Sequence, residues 1–522
     1  IIVNTVLTPW VLALEPIEVD PSRGKNTQVY TLNSGTSVVD IASANGAGFS
    51  DNYFRSYSVP NAGVVVNNNV DSAQISQLGG YLGINQNLNN ANGAANTILF
   101  QITGTGQTVL EGPTEMYGQR ANFMVANPNG IYVNGGGFYN APRVTLTTGQ
   151  PILNQEQLEA IHVAGGTITV GPGGLLALPR ESNVDSVELL ARGIELNGAI
   201  YANQATLVAG RNAIDYAALG SDDPAVMMAG ITPLSTEGDA APSFAIDSSQ
   251  LGGMYANAIR MVSTEGGVGV RFRAKQLAQS GALFLDANGT IQIADTGALV
   301  GNDGVSITGE SVANDGVVLA GDVPTVLGLV SDVDAQVADV SITATGTAET
   351  DGRVDNTGYL LAGGDLTIEA ERITNTGTLT TVWLDYDEDA QTWHRRDTGK
   401  QVDVPHSARE WRDITDTVTA ATHRYYRDAT TGDWVHAETG EPLVLQVGEW
   451  VYYDGAWRDP DTYDAMDPTG MSVAWDDTTY TASAIEWVDT YIPAVIQSGQ
   501  AMVLDGAVTN ELAEIEAGNT LT

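Results

Sequence analysis

Two short asparagine-centred segments have the residue types that tight turns require. They are the first turn, Asn85-Gln86-Asn87-Leu88, and the second turn, Asn127-Pro128-Asn129-Gly130-Ile131. Asn and Gly tolerate a positive φ, and Pro fixes φ near about −65°, so both segments suit a sharp corner of the chain. Apolar runs at residues 122–126 and 131–133 flank the second turn without a helical period. The sequence therefore predicts strand, turn, strand at this place.

Catalytic and metal-binding patterns are scarce in the rest of the chain. The chain contains no Cys, which excludes thiol catalysis, disulfides and Cys-zinc sites, and it lacks the HExxH, GxSxG and P-loop patterns. Asp385, Asp387 and Asp389 resemble the start of a calcium loop, but Ala390 and Arg396 stand where such a loop needs Gly and Glu. We therefore predict no catalytic residue, no metal site and no cofactor, while calcium binding by the acidic clusters stays an open question.

The charge of the chain restricts the partners it can bind. The 522 residues carry 63 acidic and 22 basic side chains, for a formal net charge of −41. Such a chain repels phosphate, so we expect no nucleic-acid partner and no docking on anionic lipid. The excess of carboxylates is explained most simply by solubility through self-repulsion, in a habitat where salt screens the charge.

Several motifs in addition to the two turns match one known family. The two turns are joined by an AxxIL…GQRA segment, and further matching stretches lie at residues 38–48, 52–54, 63–68, 251–256 and 262–270. Together they resemble the secretion domain of two-partner-secretion exoproteins, which include filamentous haemagglutinin and contact-dependent inhibition exoproteins. The resemblance covers residues 17–375, and Gln86 stands where the family often has Pro. It implies that both turns act as secretion motifs, through Asn85, Asn87, Leu88, Asn127, Pro128, Asn129, Gly130 and Ile131.

Short alternating strands closed by glycine recur after residue 160, at spacings of about seven to twenty residues. Strands of this length bury their apolar face when one coil of a solenoid stacks on the next. We therefore predict an all-β protein with a right-handed parallel β-helix; the handedness follows from the family resemblance and from the usual crossover preference. Residues 17–80 are expected to cap its amino-terminal end, and residues 211–250 to form a surface excursion. Asn67, Asn68 and Asn69 suggest a ladder of stacked side-chain amides.

The pattern divides the chain into five parts. Residues 1–16 are expected to be a signal-peptide remnant or a cap strand, and residues 17–270 the secretion domain. Residues 271–381 continue the β-helix repeats. Residues 382–492 break the repeat and form an inserted β module, after which residues 493–522 resume the β-helix, truncated at residue 522.

The inserted module is rich in aromatic residues and holds eight of the nine Trp. A small β module needs Trp and Tyr to fill a limited core, which is the structural interpretation. The alternative is a recognition surface for a host or neighbour-cell glycan or protein receptor, because Trp, Tyr and Arg are enriched at binding hot spots. The candidate partner-binding residues are Trp393, Trp434, Trp450, Trp457, Tyr425, Tyr426, Tyr452 and Tyr453.

Two functions of different classes remain. The resemblance implies a non-enzymatic exoprotein that passes through the periplasm and a dedicated outer-membrane transporter, and that then acts at the cell surface in adhesion or as the stalk of a contact-dependent toxin. The alternative is a secreted β-helix enzyme that acts on polysaccharide, for which no carboxylate pair stands out. Residues 1–522 do not separate adhesin from toxin carrier.

Overall fold

The architecture is a solenoid of parallel strands that winds around three faces. The computed structural model describes residues 14–89, 92–176, 184–235, 240–321, 337–346, 352–387, 392–396, 398–402, 412–415, 422–427, 434–436, 451–453, 456–458 and 484–522. The chain divides into two compact units, one of Ile1–Thr376 with Pro493–Thr522 and one of Gly377–Ile492. Residues 1–13, which belong to the predicted signal remnant or cap strand, lie outside the described residues.

Each face of the solenoid is a ladder of strands taken from successive coils. Faces 1 and 2 belong to one sheet, and face 3 forms a second sheet. Face 1 contains Phe49–Ser56, Thr97–Ile102, Asn122–Ala126, Arg143–Thr147, Ser186–Ala191, Gln204–Ala209, Ala258–Ser263, Val340–Ala344 and Thr520–Leu521. Face 2 contains Thr108–Leu110, Ile131–Val133, Thr167–Val170, Gly193–Leu196, Phe244–Ser248, Gly269–Phe272 and Arg353–Asn356. Four long strands continue from face 1 onto face 2: Ala282–Ile293, Gly304–Asn314, Leu366–Thr376 and Ala501–Glu511.

Face 3 completes each coil. Its parallel strands are Ser37–Asp40, Val64–Asn68, Pro113–Gly118, Gly136–Tyr139, Leu175–Leu176, Ile200–Tyr201, Met254–Ala256, Lys275–Ala278, Ala298–Gly301, Val317–Ala320, Tyr359–Ala362, Ala494–Ser498 and Ala513–Ala517. The alternation of side chains along these strands sends every second residue into the interior. The predicted all-β parallel β-helix is thereby confirmed.

The interior is filled by columns of apolar side chains in register from coil to coil. In one column Leu283, Val305, Val340, Leu366 and Met502 occupy equivalent positions, and all five are buried. Near the amino terminus the interior is aromatic. Phe54, Phe100, Phe123 and Phe138 contact one another in that order, and the ring centroids of Phe54 and Phe100 are 4.6 Å apart. Each coil thus removes its apolar surface from water only when the next coil is in place.

The cap at the amino-terminal end is shorter than the predicted residues 17–80. Two strands in the described part of the amino-terminal region pair antiparallel with the solenoid: Glu18–Val19 with the first strand of face 1, and Gln28–Thr31 with the first strand of face 3. A 3₁₀ turn at Pro21–Arg23 separates them. The strands Ser37–Asp40, Phe49–Ser56 and Val64–Asn68 already belong to parallel coils, because their inward-facing apolar side chains fit the interior columns.

Within residues 211–235 the chain forms ordered structure that the sequence did not indicate. The strands Gln150–Asn154, Gln157–Val163, Asn212–Asp215 and Ile231–Pro233 make an antiparallel sheet, here the side sheet, with the short helices α1 (Tyr216–Leu219) and α2 (Pro224–Ala229). Its apolar residues pack on outward-facing residues of face 1, which is why both sides of that face are buried. Asp215 and Asp223 cap the two helices, and Pro224 occupies the first helical position of α2.

An asparagine ladder is present, but far from Asn67–Asn69. Asn314, Asn356, Asn375 and Asn510 occupy equivalent positions at the corner after face 2, and each side-chain amide donates to the next oxygen at 2.7–2.8 Å. The amides of Asn67, Asn68 and Asn69 instead bond to separate groups, among them Asp40, the Ala95 carbonyl and the Ser72 carbonyl, so they do not stack on one another.

The second unit, Gly377–Ile492, is an insertion between two consecutive strands of the solenoid; we call it the insert. The strands Gln401–Val402, Thr392–Arg395, Thr378–Asp387 and Ala484–Ile492 form an antiparallel sheet in that order. A second sheet contains Arg412–Thr415, Thr422–Arg427 and Trp434–His436, and a hairpin pairs Val451–Tyr453 with Ala456–Arg458. No helix in the described parts of the chain is long and apolar enough to span a membrane.

Excision of the insert should leave the solenoid folded. The strand Leu366–Thr376 pairs directly with Ala501–Glu511, and Thr378 and Ile492 are Cα partners at the base of the insert. Replacing residues 379–491 by Asn-Gly therefore puts a two-residue turn between Thr378 and Ile492, which already lie opposite each other. We expect the β-sheet circular dichroism and a single cooperative melting transition to persist, with Tm within about 4 °C of the full chain. A variant without cooperative melting would show that the insert is needed for the solenoid to fold.

Candidate functional site

The first turn connects successive coils to the cap through asparagine amides. Asn85 precedes the 3₁₀ helix Gln86–Leu88, and its Oδ1 accepts from the Asn87 backbone N–H at 2.9 Å. Its buried Nδ2 donates to the Ile41 and Asn67 carbonyls at 3.0 and 2.9 Å. The one side chain thus bridges two neighbouring coils of face 3, which a turn residue without a side-chain amide would not do.

The remaining residues of the first turn extend the same connection. The Asn87 amide donates to the Asn26 carbonyl at 2.8 Å and to the Ile41 carbonyl at 3.0 Å. It therefore joins the segment that follows the 3₁₀ turn at Pro21–Arg23 to the solenoid. The Asn87 carbonyl accepts from the Ser43 hydroxyl at 2.7 Å. Leu88 lies in the apolar interior. Of this turn, Gln86 alone is exposed.

The second turn repeats this construction at the corner between faces 1 and 2. Asn127 Oδ1 accepts from the Asn129 backbone N–H at 3.0 Å and from its amide Nδ2 at 2.9 Å. Asn127 Nδ2 donates to the Gly106 carbonyl and to Thr108 Oγ1, each at 3.0 Å. Asn129 Nδ2 donates to the Gly104 carbonyl at 2.9 Å. Three hydrogen bonds from two amides therefore join this corner to the corner of the preceding coil.

The end of the second turn depends on glycine. Gly130 has φ of +110°, and a Cβ at this position would lie 3.1 Å from both Gln107 Nε2 and the Thr167 carbonyl oxygen. Ile131 then enters the interior and pairs with Thr108 and Ile168 on either side. The sequence predicted the turn itself, but it did not indicate that Asn127 points inward and is fully buried.

Only part of either turn is available to a partner of the folded protein. Asn85, Leu88, Asn127 and Ile131 are buried, whereas Pro128 and Asn129 are exposed. The role of these residues as secretion motifs stays a prediction. In the folded chain the buried residues stabilise the two corners. Pro128 and Asn129 form the solvent-facing surface of the second turn.

Two carboxyl groups near the cap have shifted pKa values. Burial raises the pKa of Asp40, opposed by the hydrogen bond from Asn67 Nδ2 at 2.7 Å. Hydrogen bonds from the Ser22 and Thr103 hydroxyls lower the pKa of Asp20 to about 2. Asp20 is therefore ionised at neutral pH and connects the cap to face 1, at the end of the strand Thr97–Ile102.

The described aromatic candidates of the insert are distributed over five strands. Trp393 is the Cα partner of Val402, and Tyr425 and Tyr426 are partners of His436 and Val435. Tyr452 is opposite Trp457, and Tyr453 opposite Ala456, in the last hairpin; Trp434 pairs with Arg427. Trp450 lies outside the described residues, as does Asp389 of the segment that resembles the start of a calcium loop. The described residues contain no group of three or more side chains placed to hold a metal ion.

A buried ion pair beside helix α1 was missed by the sequence reasoning. Arg143 Nε donates to Glu188 Oε1 at 2.6 Å, and the Thr145 hydroxyl donates to Glu188 Oε2 at 2.7 Å. The Arg143 guanidinium lies 3.8 Å from the centre of the Tyr216 ring and donates to the Tyr216 carbonyl. Burial raises the pKa of Tyr216. This cluster joins face 1 to helix α1, and nothing in the spacing of 143, 188 and 216 indicates it.

Comparison with known proteins assigns the solenoid to a family. Residues 17–293 match the family model described as the TPS secretion domain. The tRNA nuclease CdiA of Escherichia coli (strain STEC_O31) is 39% identical over 264 residues, which are 50% of this chain and 8% of that protein. The 16S rRNA endonuclease CdiA of Enterobacter cloacae subsp. cloacae is 39% identical over 272 residues, 52% of this chain and 8% of that protein.

Among solved structures, the filamentous hemagglutinin secretion domain is 32% identical, with a TM-score of 0.48, and the match covers 59% of this chain and 95% of that one. The chain spans less than a tenth of the length of the curated relatives it matches. The family match itself covers more than half of the chain. The chain therefore belongs to the family of two-partner-secretion exoproteins, which are secreted through the periplasm and displayed at the cell surface.

Proposed function

We propose that residues 17–293 direct this chain through a dedicated outer-membrane transporter, and that the exported solenoid acts in adhesion or as the stalk of a contact-dependent toxin. The match of residues 17–293 to a secretion domain carries this proposal. The CdiA relatives are named as nucleases or toxins, but the match covers 8% of their length. The likeness therefore supports a shared route of export and not a shared reaction, and we propose a non-enzymatic role for this region.

The stacking of the coils supports a drive for export that needs no nucleotide. Between the end strands Ser37–Asp40 and Ala513–Ala517, each strand of face 3 pairs with the strand of the coil before it and the strand of the coil after it. A coil that emerges from a pore can therefore fold on the coil that emerged before it. The apolar surface buried at each step opposes return of the chain into the pore. The comparisons do not favour the polysaccharide-active enzyme considered from the sequence.

Export should depend on the second turn. Cells that express the chain with its cognate transporter should release it into the medium, and cells without the transporter should retain it. Asn127→Ala/Asn129→Ala should reduce the released protein to about a tenth or less, because the corner loses its three side-chain hydrogen bonds to the preceding coil. The matched control is Asn203→Ala/Asn257→Ala, which removes an exposed asparagine pair elsewhere on the solenoid. Normal release of the Asn127→Ala/Asn129→Ala protein would contradict the proposed role of the turn.

We further propose that the insert binds a glycan or protein receptor on a host or neighbouring cell. Its Trp and Tyr residues suit either target, because they combine flat apolar surfaces with polar ends. The chain with residues 379–491 replaced by Asn-Gly is the matched comparison, since it retains the solenoid strands on both sides. It should be exported normally and lose binding to target cells. Equal binding to target cells by the full chain and by the chain without the insert would contradict the receptor proposal and would indicate that the insert is a spacer.

A further inference from the structure

A hairpin on the outside of face 3 presents two large apolar side chains to solvent. Its strands are Gln74–Ser76 and Gly80–Leu82, and we call residues 74–82 the face 3 hairpin. Ile75 and Tyr81 are directly opposite each other in the pair, and they are 82% and 75% exposed. Their neighbours Ser76 and Leu82 point the other way and are buried. Side-chain alternation thus places the apolar pair on the outer surface of the hairpin.

A buried carboxylate holds this hairpin to the solenoid. Glu115, on the face 3 strand Pro113–Gly118, is 5% exposed. It accepts from the Ser76 hydroxyl at 2.6 Å and from the Gln77 and Leu78 backbone N–H groups at 2.9 Å. Three hydrogen bonds to one carboxylate fix the loop between the two strands, because charge-assisted bonds are about twice as strong as neutral ones.

Tyr117 fixes the other end of the hairpin. Its hydroxyl donates to the Leu82 carbonyl at 2.6 Å and accepts from the Gln74 backbone N–H at 3.1 Å. Leu82 and the Tyr117 ring pack with Val38 and Val65 in a small apolar cluster between the hairpin and face 3. The hairpin is therefore attached at both ends to a rigid sheet, and the orientation of Ile75 and Tyr81 is fixed before any partner binds.

The exposed pair has no role in packing of the chain. An Ile and a Tyr at this exposure contribute almost nothing to burial, and paired apolar residues on a hairpin favour aggregation. Tyr30 adds to the same outer surface, since it is opposite Val38 on the cap strand and is 42% exposed. A rigid support under an exposed aromatic and aliphatic pair is the arrangement of a binding hot spot.

The charge around the hairpin restricts the partner. Residues 56–119 contain no Lys, Arg or His, and the acidic groups there are Asp71, Glu111 and Glu115. Asp40 lies on the neighbouring face 3 strand. Glu115 is buried and Asp40 half-buried, so the exposed charge beside the hairpin is that of Asp71, in a chain of formal net charge −41. An apolar surface with acidic surroundings is complementary to an apolar pocket with a basic rim, and like charge on the partner would be repelled.

The hairpin is also connected to the first turn. Asn69 Nδ2 donates to the Tyr117 hydroxyl at 3.3 Å, and the Asn69 carbonyl accepts from the Asn85 backbone N–H at 2.8 Å. Building on the proposed export function, we propose that the face 3 hairpin docks on an apolar, basic-rimmed surface of the periplasmic part of the outer-membrane transporter. The hairpin places Ile75 and Tyr81 in that pocket, and the first turn lies beside the contact.

Site-specific crosslinking in secreting cells tests this contact. The full chain carries a photo-crosslinking amino acid as Tyr81→p-benzoylphenylalanine, and the control carries it as Leu251→p-benzoylphenylalanine, at an equally exposed apolar position, 69% exposed. We expect an adduct with the transporter from position 81 and none from position 251. An adduct with a second copy of the chain only, or no adduct, would overturn the proposal.

Substitution of the pair separates this inference from the export function as a whole. Ile75→Ser/Tyr81→Ser should leave Tm unchanged, since both side chains are exposed, and should reduce export about tenfold. Leu251→Ser is the matched control and should be exported normally. Normal export of Ile75→Ser/Tyr81→Ser, with export still dependent on the transporter, would overturn the docking contact alone. Export without the transporter would contradict the proposed function itself.

Discussion

Asn127→Ala is expected to lower the free energy of unfolding by about 2–4 kcal/mol. The substitution removes an amide that is fully buried at the corner of the second turn. It leaves the Gly106 carbonyl and the Thr108 hydroxyl without their donor, and the Asn129 backbone N–H without its acceptor. A buried polar group without a partner costs about 1–3 kcal/mol, and partial access of water to the corner reduces the sum. Urea denaturation of the full chain measures the change.

Two neighbouring substitutions serve as controls for this prediction. Asn129→Ala should cost about 1 kcal/mol, since this exposed amide loses its bond to the Gly104 carbonyl while the Asn127 bridge remains. Pro128→Ala changes an exposed side chain and should cost less than about 1 kcal/mol. The order of the three effects tests the structural role of the turn. If Asn127→Ala keeps wild-type stability and still blocks export, the turn acts by direct recognition and not through the fold.

The solenoid could be predicted from sequence because its signal is local and repeated. Strands such as Thr167–Val170 and Gly193–Leu196 are short, alternate in hydrophobicity and end near glycine, so each coil gives the same indication independently. The predicted length of the cap was too great for the same reason. Ser37–Asp40 has the alternation of any strand, and its sequence does not indicate whether it pairs parallel or antiparallel. The helices α1 and α2 are too short for a helical period, although Asp223-Pro224 is a helix-start signal that could have been recognised.

The asparagine side chains show what the sequence could not indicate. The ladder joins Asn314, Asn356, Asn375 and Asn510, whose separations in sequence are 42, 19 and 135 residues. No fixed period links them, because loops and the insert lie between coils whose strands are in register. The two turns were predicted from the backbone preferences of Asn. The direction in which each Asn side chain points, however, depends on which carbonyl groups the neighbouring coil presents. That information is tertiary and enters only with the stacking of the coils.

Arg143→Met is expected to destabilise the protein by about 3–5 kcal/mol, as removal of one partner from a buried ion pair does. Glu188 is 2% exposed, so its charge would stay buried with only the Thr145 hydroxyl as a partner. The substitution also removes the stacking of the guanidinium on Tyr216, which holds helix α1 against face 1. Faster hydrogen exchange should therefore appear in the side sheet before it appears in the interior columns.

Two variants distinguish loss of the ion pair from loss of packing. Arg143→Met/Glu188→Gln removes both charges and should recover about half or more of the lost stability, because the main cost is the unpaired carboxylate. Arg271→Met breaks the pair with Asp247, in which both side chains are partly exposed, and should cost only about 1 kcal/mol. If Arg143→Met and Arg271→Met have equal effects, burial of Glu188 does not control the stability of this region. In that case contacts of the side sheet other than the Arg143 cluster hold it on the solenoid, and the apolar layer of Ile161, Val163 and Met227 is the next to test.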